Sequence, residues 1–175
     1  MKADPTLPPV TLGSAVLTIS DRRTPVVSSS GDYLCDSLRA AGHPLQTRAI
    51  CRDDIYQIRK VLSDWIADPA IQVILVNGGT GFSHRKSTVA AVTPLLDQAI
   101  PGFGELFRHL SWQEIGSSAL QSEALGGLAN GTLIFCLPGA TRACRLAWES
   151  ILREQLDSRH RPCNFATAYR DAAGS

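Results

Sequence analysis

Gly78, Gly79, Thr80 and Gly81 follow directly on an apolar, β-branched run, Ile71-Gln72-Val73-Ile74-Leu75-Val76-Asn77. Glycines at 78, 79 and 81 let the backbone take positive φ and approach a ligand closely. Exposed N–H groups there, with those that open a following helix, suit an anion such as phosphate. A tight turn that merely closes a strand has the same composition. Thr80 either meets the phosphate or closes the turn with its hydroxyl. Arg85 and Lys86 follow and bring two cations. Ser20 and Arg22 stand at the end of an earlier apolar run, and Pro138 and Gly139 at the end of a later one. Asp53 offers a carboxylate that either caps its helix or serves a site. Ser111 offers a hydroxyl with the same two readings.

Three familiar loops are excluded. A P-loop needs a second glycine directly before Lys-Ser/Thr, and Arg85 occupies that place before Lys86-Ser87. A dinucleotide fingerprint needs GxGxxG after the first strand, and a nucleophile elbow needs GxSxG; neither pattern occurs.

The elements that position these residues alternate between two periods. Residues 13–19, 45–50, 72–76 and 132–137 read as strands, the buried ones as continuous apolar runs. Leu34 and Leu38 recur at helical spacing before a stop at Gly42. Ile55, Ile58, Val61, Leu62, Trp65 and Ile66 line one face of a second helix, capped by Asp53 or Asp54. Ser87 or Thr88 opens a third helix, a short one runs to Leu110 after Pro101-Gly102, and residues 143–156 form the last. Strand and helix in alternation predict one doubly wound α/β domain with a mainly parallel sheet. Its ligand loops at 20–23, 77–81 and 138–139 all follow strands, so they meet at one sheet edge. Residues 1–9 read as a flexible arm, 10–156 as the domain and 157–175 as a loop-like tail.

The chain has 175 residues, enough for one domain with a real core, and 44% hydrophobic residues exclude a disordered chain. A net charge of +1 without a dense basic block argues against nucleic-acid binding. No apolar run reaches the roughly 20 residues that cross a bilayer, and residues 1–9 lack a signal-peptide core. The expectation is a cytoplasmic protein with no membrane partner. Cys35, Cys51, Cys136, Cys144 and Cys163 form no CxxC pair, so structural zinc finds no support. Cys136 and Cys144 read as small core residues. His43, His84, His109 and His160 read as surface or capping groups. Trp65 and Trp148 read as structural, and Phe103 and Trp112 as core or subunit-interface anchors.

GGTG at 78–81, Arg85, PGFGE at 101–105, Ser-Ala-Leu-Gln-Ser at 118–122 and LPG at 137–139 occur together and in this order. With Thr18-Ile19-Ser20-Asp21-Arg22-Arg23 and Ser30-Gly31, they resemble the MoaB/MogA molybdopterin-binding family over residues 10–156. The segment around Arg161-Pro162-Cys163-Asn164-Phe165 resembles the MoaB branch. The resemblance implies a three-layer α/β/α sandwich that assembles as trimers, or as dimers of trimers. It implies molybdopterin as ligand or substrate, with ATP and Mg²⁺ where the pterin phosphate is adenylated. On this resemblance Ser20, Arg22, Gly78, Gly79, Thr80, Gly81, Arg85, Lys86, Ser111, Pro138 and Gly139 bind the pterin or its phosphate, and Asp53 is the catalytic and metal-binding carboxylate.

The chain departs from the family where charge matters. The family commonly has Arg-Asp after the glycine loop, and this chain has Arg85-Lys86. Ser28 stands at a second acidic position, and Glu123 at a basic one. Two unit charges about 4 Å apart interact by roughly 4 kcal/mol at an effective dielectric of 20. A lysine at a Mg²⁺ position turns that attraction into repulsion, although it can hold phosphate as a point charge. Binding with weak or lost adenylation is therefore expected. If Lys86 faces solvent, Asp53 or Asp54 with Glu105 suffices for activity. The rival readings are a non-enzymatic trimeric pterin carrier and a weak nucleoside-triphosphate hydrolase.

Overall fold

The structure is a computed structural model that describes residues 3–21, 29–82 and 87–170. Its strands are β1 (Ser14–Ile19), β2 (Leu45–Cys51), β3 (Val73–Asn77), β4 (Gln98–Ala99), β5 (Leu125–Ala129) and β6 (Thr132–Leu137). Its main helices are α1 (Ser29–Ala40), α2 (Ile55–Ile66), α3 (Thr88–Val92), α4 (Pro101–Ile115) and α5 (Thr141–Ala147). The strands form one sheet in the order β2-β1-β3-β6-β5-β4. The first four neighbours run parallel, and β5 and β4 add two antiparallel steps.

Period-two alternation divides each central strand between two cores. Val73 and Leu75 of β3, with Leu133, Phe135 and Leu137 of β6, join α1, α4 and α5 on one face. Ile74 and Val76, with Ile134 and Cys136, join α2 and α3 on the other. These strands are buried along their whole length, which explains their unbroken apolar runs. Each large side chain so buried contributes about 1.5–3 kcal/mol. The expected mainly parallel sheet between helical layers is present.

Local chemistry sets the element ends. Gly42 ends α1 at φ +86°. Asp54, rather than Asp53, caps α2 by accepting the N–H groups of Tyr56 and Gln57. Pro101 opens α4, which continues to Ile115 and so exceeds the short helix expected. The last helix begins at Thr141 and is interrupted by a π stretch at Trp148–Leu152 before its final turn, Arg153–Gln155.

Sequence reading missed β4 and β5. The β5–β6 hairpin turns on Asn130 (φ +47°) and Gly131 (φ +77°), a pair that suits a two-residue hairpin loop. His43 is buried rather than at the surface, and its Nδ1 accepts the Leu12 N–H at 3.2 Å. Phe103 is a core residue, packed 4.9 Å from Phe135 between ring centroids, whereas Trp112 is 57% exposed. After the last helix, Ala166 is buried and Phe165 and Tyr169 pack on the core.

Candidate functional site

The C-terminal ends of β1, β2, β3 and β6 meet at one edge. Gly78 (φ +93°), Gly79 (φ +62°) and Gly81 (φ +100°) make the loop after β3. The Gly78 N–H donates to the Leu137 carbonyl at 3.1 Å, which ties this loop to the end of β6. A Cβ on Gly78 would lie 2.4 Å from the Ile19 carbonyl oxygen, and one on Gly139 would lie 3.3 Å from Gly78 Cα. The glycines are thus required by three chain segments that crowd together.

Thr88 organises the loop from beneath. It is fully buried at the start of α3. Its hydroxyl donates to the Gly78 carbonyl at 2.8 Å, and its N–H donates to the Gly79 carbonyl at 3.1 Å. A trans peptide places N–H opposite C=O, so the N–H groups of Gly79 and Thr80 face away from Thr88. Among the described residues, no protein acceptor meets the N–H groups of Gly79, Thr80 or Gly81. That polarity suits an anion.

Asn77 anchors the loop at its root. Thr18 donates its hydroxyl hydrogen to Asn77 Oδ1, and Asn77 Nδ2 donates to Ser30 Oγ, both at 2.9 Å and both buried. The hydroxyls of Ser29 and Thr141, 2.9 Å apart, join the starts of α1 and α5 beside it.

Asp53 lies against the loop. Its Oδ1 accepts the Ser87 N–H at 2.8 Å and would stand 3.2 Å from a Cβ on Gly79. The Asp53 N–H donates to Asp21 Oδ1 at 3.1 Å. One carboxylate therefore borders a loop whose N–H groups invite phosphate, and a second stands beside the first. Such a pair suits Mg²⁺ held partly by substrate phosphates rather than by an all-protein cage. Among the described residues, no cluster of three His, Cys, Asp or Glu side chains is placed to hold a metal by itself.

The remaining site residues fall as follows. Ser20 follows β1, and its N–H donates to the Cys51 carbonyl at 2.9 Å. Burial, with the Asp53 and Asp54 carboxylates beside it, pushes the Cys51 thiol up to about 11, so it stays protonated near neutrality. Pro138 carries a carbonyl that accepts the Cys144 thiol hydrogen, Sγ to O 3.3 Å. The 118–122 segment reaches the loop at Gln121, whose carbonyl oxygen would lie 3.8 Å from a Cβ on Gly81. Ser111 is buried in α4, which packs on β5 and α5, and among the described residues no hydrogen bond joins it to the loop. Arg22, Ser28, Arg85 and Lys86 lie outside the described residues. Sequence reasoning placed Asp21 and Asn77 in the ligand loops and Thr88 at a helix start but assigned none of them a role in the site. The signal for each was its place at a strand end or helix start on the ligand edge.

Known proteins resemble this chain in sequence and in fold. The family profile described as a probable molybdopterin binding domain matches residues 15–158. Molybdenum cofactor biosynthesis protein B of Escherichia coli K12 is 51% identical over 151 residues, which cover 86% of this chain and 89% of that protein. The protein of the same name from Bacillus cereus is 40% identical over 142 residues, 81% of this chain and 84% of its own. A crystal structure of a molybdenum cofactor biosynthesis protein B superposes with a TM-score of 0.82 at 39% identity, covering 86% of this chain and 94% of that one. The tungsten cofactor synthesizing protein MoaB from Pyrococcus furiosus gives a TM-score of 0.76 at 28% identity, over 82% and 92% of the two chains. A profile match that spans most of the chain, with relatives up to 51% identical over 86% of it, places the protein in the molybdopterin-binding domain family together with the molybdenum cofactor biosynthesis proteins B.

Proposed function

We propose that this chain acts in molybdenum cofactor biosynthesis by binding molybdopterin, with the pterin phosphate held at the glycine-loop edge. One observation carries the reading. The carbonyls of Gly78 and Gly79 are tied to Thr88, while the N–H groups of Gly79, Thr80 and Gly81 are left without a protein acceptor among the described residues. Ser20, Pro138 and Gly139 complete the rim, Ser111 lies within α4, and Arg22, Arg85 and Lys86 add positive charge. The family relationship supports assembly as a trimer or a dimer of trimers.

Adenylation of the bound pterin from MgATP is weak or lost in this reading. Asp53 and Asp21 would hold Mg²⁺, which neutralises phosphate charge in such transfers. Lys86 opposes that arrangement, because it stands where the family carries an aspartate. Phosphoryl-type transfer depends on positioning and charge neutralisation, so an adverse charge there lowers the rate more than the affinity.

The test is a single-turnover assay with protein, molybdopterin, ATP and Mg²⁺, with binding measured in the same sample. Tight binding with little adenylated pterin is expected. Lys86→Asp should raise the rate by about tenfold or more, since each 1.36 kcal/mol off the barrier is tenfold. Brisk turnover by the unaltered chain would overturn the weak-activity reading. Failure to bind molybdopterin would overturn the whole assignment.

A further inference from the structure

We propose that Thr88 is a positioning residue that fixes the orientation of the glycine-loop peptides and so makes the loop select anions. The inference rests on the reading above that this loop receives phosphate. Gly78 and Gly79 share one peptide whose flanking torsions both belong to glycines. Glycine populates either sign of φ at little cost, so this peptide can turn over without a Cβ clash of its own. In the reversed orientation the Gly78 carbonyl would face the ligand and the Gly79 N–H would face inward, and the loop would repel a phosphate. The next peptide is less free, because Thr80 carries a Cβ.

The Thr88 hydroxyl bonds to the carbonyl that is free to turn, at 2.8 Å, and the Thr88 N–H holds the next one at 3.1 Å. The site allows no slack. A Cβ on Gly79 would stand 2.2 Å from Thr88 Oγ1 and 2.8 Å from Ile19 Cγ2. Asp53 holds the chain just before Thr88 by accepting the Ser87 N–H at 2.8 Å. Thr88 itself is fully buried, so it acts through the loop and not on the ligand.

Thr88→Val keeps the shape and removes the hydroxyl; Thr88→Ser keeps the hydroxyl. The ¹⁵N-labelled full chain is titrated with molybdopterin and, separately, with inorganic phosphate, following the backbone amides of residues 78–81. Thr88→Ser should bind molybdopterin within about threefold of the unaltered chain. Thr88→Val should bind at least about tenfold more weakly, which is 1.4 kcal/mol. In the ligand-free spectrum its Gly79 amide should be displaced or doubled. If Thr88→Val is poorly folded, Thr88→Ala against Thr88→Ser makes the same comparison of the hydroxyl alone. Affinity and Gly79 resonance unchanged without the hydroxyl would overturn the proposal. If the unaltered chain binds neither ligand, the functional reading fails by itself. The ligand-free spectra then decide the positioning role: a single, unshifted Gly79 amide in the hydroxyl-less variant overturns it, and a displaced or doubled one supports it.

Discussion

The two ends of the central sheet are both rich in polar groups, yet they use them differently. At the N-terminal ends of the strands the polar groups bond to the chain itself. Gln72 Oε1 accepts the Gly13 N–H at 2.7 Å, Ser14 donates to the Pro44 carbonyl at 2.9 Å, and Thr132 donates to the Ile71 carbonyl at 3.0 Å. A cleft of about 590 Å³ lies between α1 and the last helix, bordered by Tyr33, His43 and Trp148, and no glycine-loop residue lines it. At the C-terminal ends, buried side chains fix Asn77 and the Gly78 carbonyl, while among the described residues no protein acceptor meets the N–H groups of Gly79, Thr80 and Gly81. Satisfied polar groups make an end rigid. A loop rigid on one side and open on the other is prepared for a ligand.

Alanine at a crowded glycine of each end is the strongest way to break this contrast. A Cβ on Gly13 would stand 1.9 Å from the Ala70 carbonyl oxygen, and one on Gly79 would stand 2.2 Å from Thr88 Oγ1 at a positive φ. Each change should destabilise the fold by about 2–4 kcal/mol, through overpacking and, at Gly79, backbone strain. Gly79→Ala should also weaken molybdopterin binding by about 100-fold, or roughly 2.8 kcal/mol. Gly13→Ala should leave the affinity of the folded fraction unchanged. Urea denaturation and pterin titration measure the two effects. Equal loss of affinity in both variants would show that the ends are not separable.

The same contrast explains what could be read from sequence. β1, β3 and β6 are buried on both faces, and residues of that kind announce themselves as apolar runs. The glycine loop was legible for a related reason, because only glycine tolerates its positive φ and its crowding. β5 was hidden because its centre is Gly126-Gly127, which lowers strand propensity. Those glycines serve packing: a Cβ on Gly126 would stand 3.0 Å from Phe103 Cβ, and one on Gly127 would stand 2.4 Å from Leu96 Cδ1. Asn130-Gly131 was the available signal for the hairpin. The places of Thr88, Asn77 and Asp21 on the ligand edge were legible, but their partners were not, because hydrogen bonds between separate segments leave no local pattern.

Removing one buried hydrogen-bonding side chain at each end sharpens the contrast with a smaller effect. Asn77→Ala removes the hydrogen bonds to Thr18 and Ser30 and leaves the buried Thr18 hydroxyl without its Asn77 acceptor. A buried polar group left without a partner costs about 1–3 kcal/mol, so a loss of about 2 kcal/mol in unfolding free energy is expected. The glycine loop then loses its root, and amide exchange at Gly78, whose N–H is bonded to the Leu137 carbonyl, should speed up. Thr132→Val removes the bond to the Ile71 carbonyl and should cost about 1 kcal/mol. It should leave exchange in the loop unaltered. Faster loop exchange in Thr132→Val would mean that the sheet couples its two ends.

The smallest effect is a pH dependence that belongs to the N-terminal end. His43 is 4% exposed, and its Nδ1 accepts the Leu12 N–H. Burial lowers its pKa, opposed by the Asp157 carboxylate and a hydrogen bond to the Leu156 backbone. The folded protein therefore favours the neutral ring, whose Nδ1 can accept, whereas the charged ring cannot. Above about pH 6.5 the ring is neutral in both states and the contribution to stability is complete. As pH falls below that value the unfolded chain takes up the proton first. Stability is then lost until the pH passes the lowered folded value, at no more than about 1.4 kcal/mol per pH unit. Urea midpoints at pH 7.5 and 5.5 should show a fall in stability that His43→Gln largely removes. An equally steep fall in His43→Gln would assign the dependence to other groups and leave the N-terminal end without a titrating element.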